Sequence, residues 1–140
     1  MTARWLLRFD SYRRALAVLQ RATGEYQRRP LNEMEQAGVI RHYEMTWELA
    51  WKVLRDYLIH DGQDLPVITP ASVLRAAFAA GLVDDGDGWM DALKLRNQLS
   101  HEYDQHRAAL AVADIMRRYL ALFEVLAEKL GHAKDASHHA

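Results

Sequence analysis

Between Asn32 and Gly62 the chain sets Ile40, Tyr43, Trp47, Ala50, Trp51, Leu54 and Leu58 at three- and four-residue steps. That period is the turn of an α-helix and not the alternation of a strand, so the segment forms one long helix with a wide apolar stripe. Such a stripe is stable only when buried against another element. Asn32 followed three residues later by Glu35 has the form of a capping box and sets the start, Gly38 is a point at which the helix is open to a break, and Gly62 sets the end.

The rest of the chain supplies the partners. Trp5, Phe9, Tyr12, Leu16 and Leu19 mark an amphipathic helix over about residues 3–23, weakened at Gly24. Thr69 before Pro70 is an N-cap with proline in the first turn, and "ASVLRAAFAAG" runs to a stop at Gly81. "DDGDG" (84–88) reads as a turn, after which Trp89, Leu93 and Leu95 begin a fourth helix that carries Lys94 and Arg96. A fifth helix covers about 107–130, with Leu110, Ile115, Tyr119, Leu122, Leu126 and Leu130 on one side. No segment alternates with period two for long enough to be a strand. We therefore expect an all-α fold, an antiparallel up-and-down bundle of four to five helices. It forms a single domain over 1–131, followed by a disordered tail over 132–140.

Composition narrows the function. The chain's 140 residues, half of them hydrophobic, suit one core. There is no cysteine, hence no disulfide and no thiolate chemistry. No apolar run approaches the roughly 20 residues that span a bilayer, and no signal-peptide pattern opens the chain, so the expected setting is soluble and cytoplasmic with no membrane contact. A net charge of −1 gives no global basic field for nucleic acid. The charge is nevertheless polarised: residues 1–29 hold seven arginines against Asp10 and Glu25, whereas 84–104 hold six carboxylates against Lys94 and Arg96.

Most apparent motifs dissolve on inspection. Trp47, Trp51 and Trp89 have the chemistry of base-stacking platforms, but tryptophans at helical spacing are core residues far more often. "DDGDG" lacks the ligand spacing and the closing glutamate of a calcium loop. "HEYDQH" is one residue too long for the zinc-protease helix, leaving His101 and His106 about 140° apart on a helix. His132, His138 and His139 fall in the tail. No metal site and no cofactor are expected.

"RNQLSHEYD" (96–104) is what remains. On a continuous helix Arg96 and His101 would also diverge by about 140°, so they converge only if the helix ends near Ser100, an end that Asn97 and Ser100 favour. Taken alone, an arginine and a histidine at a helix terminus are more often a surface pair than an active site. Glu44 and Glu48, one turn apart on the long helix, stand where they could face Arg96, and the sequence does not separate packing from function there.

The succession "RWLLRFDSYRRAL", "GVIRHYEMTWELAWKVLRDYL" and "TPASVLRAAFAAGLVDDGDGWMDALKLRNQLSHEYD" closely resembles the nucleotidyltransferase substrate-binding protein family, a branch of the HEPN superfamily, over about residues 4–130. "RNQLSHEYD" fits that superfamily's R-x4-H pattern, extended to R-x4-H-x-Y. In toxin-like branches the HEPN protein is a metal-independent endoribonuclease held in check by a minimal nucleotidyltransferase (MNT) antitoxin. The resemblance then implies catalytic roles for Arg96 and His101. It makes Tyr103 the acceptor of an inhibitory AMP, although an interface tyrosine is equally in keeping with that position. Histidine can act as acid or base, and the arginine fork binds phosphate oxygens in two places. Asn97 would orient a phosphate or hold the helix end. Because each chain offers one such histidine, a homodimer with a composite cleft is expected, with RNA as substrate. The family's other implication is a non-catalytic substrate-binding subunit of a two-component nucleotidyltransferase. The acids around the motif weaken phosphate binding and keep that alternative in play.

Overall fold

The computed structural model describes residues 2–99 and 105–138. It is all helical: α1 (Arg4–Arg28), α2 (Glu33–His60), α3 (Pro70–Ala79), α4 (Gly86–Leu99), α5 (Gln105–Asp114), a π-helical turn (Ile115–Tyr119) and α6 (Leu120–His138). Among the described residues there is no strand, and no helix is long and apolar enough to cross a membrane.

Local chemistry places the ends. Asn32 accepts from the Glu35 backbone N–H while the Glu35 carboxylate accepts from the Asn32 backbone N–H, so the capping box forms as expected. Thr69 caps α3 through the Ser72 N–H. Gly62 and Gly81, at φ +89° and +79°, close α2 and α3. At each, the glycine N–H bonds the carbonyl three residues back, and the next N–H bonds the carbonyl five back, a pairing that requires a left-handed residue.

Other boundaries differ from expectation. α1 passes through Gly24 to Arg28, because the barrier to helix is Pro30, which forces Arg29 into an extended backbone (φ −164°, ψ 159°). α2 is unbroken at Gly38. α4 begins at Gly86, inside the expected turn, since the Asp85 carboxylate accepts from the Gly88 N–H and caps it. The last helix continues past Gly131 to His138 instead of ending near residue 130. The residues after that glycine include good helix formers such as Ala133 and Lys134.

α1 and α2 form an antiparallel hairpin in which Trp5 meets Tyr57 edge-on and Arg8 pairs with Asp56 at 3.0 Å. α6 closes against α1, and α5 lies on α2. The Tyr12 hydroxyl donates to the Phe123 carbonyl and that of Tyr43 to the Ala92 carbonyl, stitching α1 to α6 and α2 to α4. The core runs the length of the bundle and includes Trp47 and Trp89, as expected of them, while Trp51 is only partly buried. Leu110 departs from expectation: it is 56% exposed, whereas Ala108, Ala111, Val112 and Ile115 face inward. The five-residue step from Leu110 to Ile115 is itself a break in helical period, and it precedes the π turn.

Candidate functional site

Arg96 lies in the last turn of α4, on the side that faces the middle of α2. Its register follows from the Tyr43–Ala92 bond one turn earlier, which fixes α4 against α2 so that the next turn of each brings Arg96 and Glu48 together. The guanidinium Nη2 donates to Glu48 Oε1, Nη1 donates to Asn97 Oδ1 at 3.2 Å, and the group rests over the Trp47 ring at 5.4 Å. A carboxylate beside it and an indole face beneath it both favour the cation in this place.

Glu48 is held in turn. Its Oε2 accepts from Trp51 Nε1 at 3.1 Å and lies 3.9 Å from Lys52 Nζ. The side chains of Arg96 and Glu48 keep about a third of their exposure, 31% and 32%. They form part of the wall of an open groove of about 590 Å³, shared with Arg41, Glu44, Met45 and Leu49. Trp47, under the arginine, is fully buried, and its indole N–H has no hydrogen-bond partner among the described residues.

Of the residues singled out from sequence, the structure brings Arg96 and Asn97 together at the end of α4. His101 and Tyr103 lie outside the described residues. So does Ser100, where the helix was expected to end; the described part of α4 closes at Leu99. Glu44 and Glu48, left undecided by the sequence, both face the groove, and Glu48 meets Arg96 directly. Arg41 was not anticipated, because nothing in local spacing marks a single exposed arginine on α2.

At the same helix end, Leu95 and Leu99 line a second open depression with Gln98, Arg107, Leu110, Ala111 and Asp114. The exposed Leu110 belongs to the apolar part of this lining, with Leu95, Leu99 and Ala111.

The sequence matches the family described as "Nucleotidyltransferase substrate binding protein like" over residues 7–132. The chain belongs to that family. Among curated relatives it is similar to "Probable ribonuclease HepT" of Haemophilus influenzae, with 33% identity over 82 residues. That match takes in 56% of this chain and 56% of the relative, so the chain spans little more than half the relative's length. Among solved structures it resembles a Haemophilus influenzae protein described as having the fold of a substrate binding domain of a nucleotidyltransferase, at a TM-score of 0.77 and 26% identity over 87% of this chain and 98% of that one. A Thermus thermophilus structure gives 0.70 and 25% identity over 85% and 98%. The all-helical bundle expected from the sequence is thus the fold of this nucleotidyltransferase substrate-binding family.

Proposed function

We propose that this chain is the HEPN half of a two-gene module with a minimal nucleotidyltransferase and that it is a metal-independent, toxin-type endoribonuclease. The observation that carries the reading is Arg96, a guanidinium in the last turn of α4, held against Glu48 and Trp47 and bordering an open groove, five residues before His101. The name of the Haemophilus relative supports the same activity.

In this mechanism His101 takes the proton from an RNA 2′-OH, whose oxygen attacks the adjacent phosphorus. Arg96 draws off the charge that builds on the phosphorane oxygens, and a second histidine protonates the departing 5′-oxygen. A homodimer supplies that second histidine, and the apolar surface of Leu95, Leu99 and Leu110 beside the helix end is suited to such an interface. Asn97, bonded to the Arg96 fork, orients the phosphate-binding group. Tyr103 accepts AMP from the nucleotidyltransferase, and the added bulk and negative charge exclude RNA. The module acts in the cytoplasm.

The test is cleavage of RNA by the purified full chain with EDTA present. His101→Ala and Arg96→Ala should each lower the rate by about 10²-fold or more while leaving helix content intact. Absence of cleavage by the folded wild-type protein across several RNAs would overturn the nuclease reading. Mass spectrometry of the chain produced with its partner should find AMP on Tyr103.

A second reading is favoured by Glu44 and Glu48, which put two carboxylates in the groove where phosphate would enter. A non-catalytic subunit that presents a cationic substrate to a nucleotidyltransferase would use those acids directly. It predicts binding of such substrates with no RNA cleavage.

A further inference from the structure

We propose that Glu48 is a positioning residue, one that holds the Arg96 guanidinium at a fixed angle toward the groove before any substrate arrives. The proposal rests on the reading of Arg96 as the phosphate-binding arginine and assigns it a support 48 residues away in the chain.

Arginine carries a long side chain with many rotamers, so a fork aimed at a phosphate only after binding must be ordered at that moment. Here the ordering is already in place. Glu48 Oε1 accepts one Nη2 proton, Asn97 accepts one Nη1 proton, and the Trp47 ring supports the face of the group. Glu48 can act as an anchor because it is anchored itself, by the Trp51 indole N–H on the other oxygen and by Lys52 one turn along. Trp47, Glu48, Trp51 and Lys52 all come from consecutive turns of α2, so the support is a rigid helix and not a loop. A guanidinium is a planar fork, and holding Nη2 on Glu48 and Nη1 on Asn97 fixes its plane, and therefore the line of approach for an oxyanion.

The same carboxylate also repels phosphate. A positioning role and a masking role therefore separate in kinetics: loss of Glu48 should slow the chemical step while RNA binds as well as before or better, because an anion has left the groove.

The experiment compares wild type, Glu48→Gln and Glu48→Ala as full chains. Steady-state cleavage of a single-stranded RNA in EDTA should show kcat reduced about tenfold to a hundredfold in Glu48→Ala with KM unchanged or lowered. Glu48→Gln, which keeps the acceptor without the charge, should be intermediate. In parallel, NMR of the Arg96 guanidinium without RNA should show slow rotation in wild type and free rotation in Glu48→Ala. Full or increased kcat in both variants overturns the proposal, as does an Arg96 already rotating freely in wild type. If the wild type cleaves no RNA, the nuclease reading fails on its own, and the guanidinium measurement alone decides whether Glu48 holds Arg96. Glu48→Gln, the isosteric change, serves both readouts if the alanine variant does not fold.

Discussion

Glu35 accepts from both terminal nitrogens of Arg29, at 2.8 and 2.6 Å, and from the Asn32 backbone N–H at 2.9 Å. The Arg29 hydrogen bonds above all, then the Asn32 N–H, hold its carboxyl at about 2, below the ordinary 4.5. A lowered pKa means that this contribution to stability is complete above pH 4.5 and disappears as pH falls toward 2. Thermal unfolding measured between those limits should therefore fall more steeply for wild type than for Glu35→Gln. Asn32→Ala, which removes the other half of the box, should cost about 1 kcal/mol at neutral pH, read as a lower Tm. The box was legible in the sequence because both partners lie within one turn. Glu48 could only be suspected, since its partner is on another helix and its register depends on the Tyr43 bond to α4. Arg96 was singled out through the R-x4-H pattern and Asn97 through its preference for a helix end, which the described part of α4 reaches at Leu99.

Helices in this bundle are tied in pairs by buried phenols. Tyr12 and Tyr43 each spend a hydroxyl on a carbonyl of a neighbouring helix, and burial, more than nearby charge, pushes both well above the ordinary tyrosine value of 10.0. With the folded values raised, their contribution is intact below pH 10 and is lost above it, as the unfolded chain releases these protons first. In an alkaline titration, phenolate absorbance from these two should appear together with loss of helical circular dichroism, and Tyr43→Phe should move that transition to higher pH. At this scale the sequence showed the existence of each helix well and its ends less well. Period reveals a stripe, but whether Gly24 stops a helix depends on the residues beyond it, and here Pro30 is the stronger signal.

In the molecule as a whole, Phe123 is a common point. Its buried ring meets Tyr12, Tyr43 and Trp89, and so touches residues of α1, α2 and α4 from α6. Phe123→Ala should cost about 3–5 kcal/mol, a large part of the stability of a domain this size, and urea unfolding should show a correspondingly lower midpoint. Exposed Leu7→Ser, by contrast, should stay within about 0.5 kcal/mol. The π turn bears on how α5 and α6 work as one piece. A π turn carries one residue more than an α-turn, which advances everything after it by about 100° around the axis. α5 packs on α2, and α6, continuing from it, packs on α1 and reaches α2 through Phe123. The turn acts as a phase shifter in a drive shaft: a push on α5 passes to α6 along the axis, but the two faces that grip the bundle are set at different azimuths. Both rows end in one core: Ala108, Ala111 and Val112 of α5 are buried in it beside Phe123, Leu126 and Leu130 of α6.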